Sequence, residues 1–176
     1  MRYLTGLAMH PHERLIVLLL PATPQPPLLV LPALEQARVS ATLAAHGLPI
    51  VCVGWTDETG PTTALAMATA QLFGECPAPL LAVEYLAMRV MELRALEAAI
   101  PALHTTDATP LLAGLRMVKD ADELAAMRAA VRIIEASLQQ IIPSIKAGVT
   151  ERELAAQWRA ATLALGADEE AFGCIV

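Results

Sequence analysis

The sequence predicts an α/β protein with a mixed sheet in its first two thirds and a helical remainder. Three observations carry this. Four short stretches are apolar at every position, the pattern of strands buried on both faces of a sheet. The segments between them have helical length and end at glycine or proline. After about Gly114 the alternation stops, and two capping motifs each open an amphipathic helix.

In chain order, Leu15 to Leu20 is the first apolar run and Leu28 to Leu31 the second. The link between them holds four prolines, which set a turn and cannot continue a central strand, so the pair reads as a hairpin. Leu34 to His46 reads as a helix closed by Gly47. Ile50 to Val53 is the third strand, Thr62 to Phe73 a helix closed by Gly74, and Leu80 to Val83 the fourth strand. Glu84 to Ala99 is expected as one helix, with Leu86, Val90, Leu93 and Leu96 three to four residues apart and Pro101 ending it. Asp120 lies three residues before Glu123, close to a capping box. Behind it Leu124, Met127, Val131, Ile134, Leu138 and Ile141 recur at spacings of three and four, until Pro143 breaks the pattern. Thr150 and Glu153 form a full capping box for a second helix, which carries Leu154, Trp158, Ala161 and Leu165 to Gly166. Phe172 to Val176 reads as a final strand with an unpaired edge.

Composition narrows the function. Apolar residues make up 56% and charged residues 17%, against about 25% charged in a usual domain, which excludes a disordered chain. The net charge of −6 comes without any basic run, so a nucleic-acid partner is not expected. No apolar run approaches the ~20 residues that span a bilayer, and the opening Met-Arg-Tyr-Leu lacks the layout of a signal peptide. A cytoplasmic protein is the expectation. Cys52, Cys76 and Cys174 lack metal-ligand spacing and are expected as buried free thiols.

The residues offer little chemistry of their own. Two-metal hydrolysis needs converging carboxylates and usually a histidine. The last histidine is His104, and five of the nine acids after residue 114 (Asp120, Asp122, Glu123, Glu151 and Glu153) stand at predicted helix starts, where they complement the helix dipole. Asp168-Glu169-Glu170 reads as a solvated loop, as does the His10-Pro11-His12-Glu13 cluster, although the latter has metal-ligand residue types. His46 reads as a helix C-terminal cap. Trp55, at a strand end, is expected to cover the core rather than offer a binding platform. No serine has a nucleophile-elbow setting, and there is no glycine-rich phosphate loop. No catalytic, cofactor-binding or metal-ligating residue is assigned.

Three stretches carry a family resemblance. Arg2-Tyr-Leu-Thr-Gly6 is similar to an N-terminal-domain signature of the creatinase/Xaa-Pro peptidase family, the "pita-bread" hydrolases that include Xaa-Pro dipeptidases and aminopeptidase P. Leu115-Arg-Met-Val-Lys-Asp120, with Asp122-Glu123 and Met127-Arg128, resembles the linker and helix that open the catalytic domain. Lys146-Ala-Gly-Val-Thr-Glu151, with Glu153-Leu154-Ala155, Gly166-Ala167 and Phe172 to Val176, resembles the next helix and first strand of that domain. The resemblance implies a ribonuclease-H-like motif in residues 1–114, without the family's first helix and strand, and the start of a truncated pita-bread domain in 115–176. It implies a metal-dependent hydrolase of proline-containing peptides, with two divalent ions (Mn, Co or Zn) in a full-length member; a homo-oligomer is expected from the apolar stripe Leu124 to Ile141 and the unpaired edge of Phe172 to Val176. The family's metal ligands lie beyond this chain, so the chain alone is expected to be inactive, with roles in oligomerisation and substrate access. A non-catalytic association module and part of a creatinase-like amidine hydrolase are the competing readings.

Overall fold

The structure, a computed structural model, describes residues 1–9, 13–74 and 76–175. The chain divides into two compact units, Met1–Ala113 and Gly114–Val176.

The first unit is built on strand β2 (Leu28–Pro32), whose five residues are all buried. Strand β1 (Val17–Leu19) pairs with it antiparallel, Val17 opposite Val30 and Leu19 opposite Leu28, across the proline-rich turn. Strand β3 (Val51–Trp55) pairs with it parallel, from Leu28 opposite Val51 to Pro32 opposite Trp55. The sheet is therefore mixed, in the order β1-β2-β3. The two-residue period of β2 feeds two cores. Leu28 and Val30 join Leu15, Leu65 and Leu96 on one face, while Leu29 and Leu31 join Leu7, Val39 and Leu43 on the other. The second face is covered by helix α2 (Ala33–Ala45), and the first by α3 (Thr62–Phe73) and α4 (Val90–Ala99). Each fully buried aliphatic side chain is worth about 1.5–3 kcal/mol, so β2 alone anchors much of the unit.

Several expectations are corrected. Only β2 is buried along its whole length; β3 sits at a sheet edge, and Val51 is exposed. The fourth run, β4 (Leu80–Val83), pairs in parallel with a strand that the sequence hides, β5 (His104–Asp107), in a separate two-stranded sheet. All four β5 residues are exposed, so backbone hydrogen bonds rather than an apolar pattern define it; the His104 and Ala108 N–H groups donate to the Pro79 and Val83 carbonyls at 2.9 Å. The helix expected from Glu84 starts only at Val90, because Arg89 is extended and caps it, while residues 84–88 form turns. Leu86 is left 94% exposed instead of joining an apolar stripe. A one-turn helix α1 (Arg2–Thr5) and helix α5 (Thr109–Met117) also lack a strong sequence signal, and the division between the units falls within α5.

The second unit contains α6 (Ala121–Ile141), a 3₁₀ turn at Ile142–Ser144 that includes Pro143, and α7 (Glu151–Ala164). Both capping boxes form. The Glu123 N–H donates to Asp120 Oδ1 at 2.8 Å, and the Asp120 N–H donates back to Glu123 Oε2 at 2.9 Å. The Thr150 N–H and hydroxyl each donate to Glu153 Oε2 at 2.8 Å. Small polar residues on α6 and α7 are buried with their hydroxyls satisfied, Ser137 to the Ile134 carbonyl and Thr162 to the Trp158 carbonyl, both at 2.9 Å. The final strand does not form over residues 171–175, since no neighbouring strand supplies its hydrogen bonds; Phe172 and Ile175 are exposed, and Val176 lies outside the described residues.

The Thr150 cap gives a pH test. The Thr150 N–H, followed by its hydroxyl, holds the Glu153 carboxyl below its ordinary value of 4.5. A depressed carboxylate pKa contributes stability that is fully present above the ordinary value and is lost as pH falls through the lowered one. The start of α7 should therefore loosen as pH drops below about 4.5, read by amide exchange of the N–H groups of residues 153–156. Glu153→Gln should abolish that component; an unchanged acid transition in the variant would contradict it.

Candidate functional site

Open α/β sheets hold ligands in the crevice outside the carboxyl ends of parallel strands. In the three-stranded sheet those ends are Pro32 and Trp55. Trp55 is buried, and its indole N–H donates to the Leu15 carbonyl at 3.1 Å, so it seals the core as expected. The chain beyond it turns at Thr56–Gly60, where the Gly60 N–H donates to the Thr56 carbonyl at 2.8 Å. This turn presents Asp57 to Arg14 in a two-pronged pair, Nη2 to Oδ2 at 2.6 Å and Nε to Oδ1 at 3.2 Å. The Arg14 carbonyl accepts from Arg89 Nη2 at 3.1 Å. Arg89 also grips Glu92 Oε1 through Nη2 at 2.7 Å and Nε at 3.0 Å, and its own N–H donates to Glu92 Oε2 at 2.9 Å. Four charged residues thus bind the start of α4 to the segment before β1 and the turn after β3.

Next to this chain lies a cleft of about 290 Å³, whose lining includes Met9, Glu13, Arg14, Pro32, Glu35 and Arg38. Both guanidiniums in it already hold carboxylates, Arg14 through Asp57 and Arg38 through Glu35 at 2.5 Å. The cleft is polar and close to charge-balanced, and its lining has neither a nucleophile nor a histidine base among the described residues.

The Tyr-Leu-Thr-Gly stretch has a structural reason. Thr5 is buried; its hydroxyl donates to the Met1 carbonyl at 3.1 Å and accepts the Leu7 N–H at 3.2 Å. Gly6 follows at φ 70°, a left-handed conformation that glycine adopts without cost. The His46 ring lies against it, so that a Cβ at Gly6 would stand 3.1 Å from Cε1. His46 Nδ1 is 3.4 Å from the Thr5 carbonyl oxygen, and the residue is the C-cap of α2. The motif is a docking turn for the end of α2.

The remaining candidates scatter. Asp120, Asp122, Glu123, Glu151 and Glu153 stand at the starts of α6 and α7. Asp168 and Glu169 are exposed, and Glu170 is 3.8 Å from Arg159. His10 and His12 lie outside the described residues. Among the described residues no group of three or more His, Cys, Asp or Glu side chains could hold a metal ion. The thiols are free, but not buried as expected: Cys76 is exposed in the turn after α3, while Cys52, on the edge strand, and Cys174 are half-buried. No helix among the described residues is long and apolar enough to cross a membrane. What the sequence reading missed is the group Arg14, Asp57, Arg89 and Glu92. Its one local signal is the three-residue spacing of Arg89 and Glu92, which resembles a capping box with arginine in the capping place.

The sequence model of the creatinase/prolidase N-terminal domain matches residues 1–118, and that of metallopeptidase family M24 matches residues 125–176. The chain belongs to the creatinase/prolidase family. It is 33% identical over 170 residues to the probable dipeptidase PepE of Mycobacterium tuberculosis, a match covering 97% of this chain and 43% of that protein. Among solved structures it is similar to dipeptidase PepE from Mycobacterium ulcerans, with 32% identity and a TM-score of 0.79 over 97% of this chain and 44% of that one. It is also similar to a prolidase from Thermococcus sibiricus, with 25% identity and a TM-score of 0.83 over 98% and 45%. The chain therefore spans less than half the length of these family members. The resemblance and the α/β fold class read from the sequence agree with these findings.

Proposed function

We propose that this chain supplies the N-terminal portion of a metal-dependent peptidase acting on Xaa-Pro dipeptides. Residues 1–114 act as the creatinase/prolidase-like N-terminal domain, and residues 115–176 as the opening helices of the catalytic domain. The observation that carries this is the unbroken order of the two family matches, 1–118 and then 125–176, along one chain similar to dipeptidases. The names of those relatives favour a peptidase over a creatinase-like amidine hydrolase. In this reading the pair of divalent ions belongs to segments outside these 176 residues, because the carboxylates present serve as helix caps and loop charges. The chain contributes substrate access and self-association, in the cytoplasm.

The test is direct. Purified chain with added Mn²⁺, Co²⁺ or Zn²⁺ should bind no stoichiometric metal and hydrolyse no Xaa-Pro dipeptide. Co-expression with the part of Mycobacterium tuberculosis PepE that this chain does not match should restore turnover. Stoichiometric metal in the chain alone, with turnover lost on substitution of Glu151 or Asp168, would overturn the proposal.

A further inference from the structure

We draw no further inference here: the strongest candidate, the polar cleft beside the start of α2 that Glu13, Arg14, Glu35 and Arg38 help to line, carries nothing, because both its guanidiniums already hold carboxylates and no buried side-chain polar atom among the described residues is left unpartnered to point to a ligand.

Discussion

Replacing Glu92 with alanine should cost about 3 kcal/mol, the low end for removing one partner of a buried ion pair. The Glu92 side chain is 10% exposed, and it accepts two of the Arg89 guanidinium bonds and the Arg89 N–H. Its loss removes the buried acceptor of these bonds and half of the capping box of α4. Arg89 would then no longer be fixed where it meets the Arg14 carbonyl. Glu92→Gln keeps the shape and one acceptor, and should cost about half as much, since hydrogen bonds to charged groups are roughly twice the strength of neutral ones. Urea unfolding followed by circular dichroism measures both. A loss below about 1 kcal/mol for the alanine variant, the range of an exposed pair, would show that the clamp is peripheral.

Trp55→Ala should cost about 3–5 kcal/mol, the range for emptying a large aromatic site in a core. The indole packs in the cluster with Leu15, Leu28, Leu65 and Leu96, and gives the Leu15 carbonyl a hydrogen bond. Trp55→Phe separates the two contributions. It keeps most of the buried ring but strands the carbonyl, at about 1–3 kcal/mol. Trp158 is the other tryptophan, so a Trp158→Phe background makes the fluorescence a report on this site alone. A stable Trp55→Ala chain with an unchanged urea midpoint would refute the assignment of Trp55 to the core.

How much of this was legible depends on the kind of force that makes each element. The apolar run at Leu28 to Leu31 marked β2 because burial on both faces leaves no polar position. Helices α6 and α7 were legible from Asp120 with Glu123 and from Thr150 with Glu153, since a capping box is local in sequence. Strand β5 was not, because His104, Thr105, Thr106 and Asp107 bury nothing and are held by backbone bonds to residues 24 positions earlier. The start of α4 was misread for a similar reason. An apolar spacing ran on through Leu86, while the charged pair of Arg89 and Glu92 set the boundary. At the candidate site, Trp55 and the helix-start acids could be placed from sequence. The group formed with Arg14 and Asp57 could not, since its members are isolated charges brought together by the sheet.

The bond from Arg89 to the Arg14 carbonyl joins residues 75 apart, whereas the β1-β2-β3 sheet is assembled from residues 17–55. Loop closure becomes more costly with the length of chain to be gathered. The hairpin and the β2-α2-β3 crossover gather shorter lengths of chain than the clamp does. Contacts made after the rate-limiting step leave the folding rate nearly untouched and act on escape from the native state. If the clamp closes after the rate-limiting step, Glu92→Ala should speed unfolding and leave the folding rate nearly unchanged, and the polar group at the strand ends would act as a latch that sets how long the fold persists.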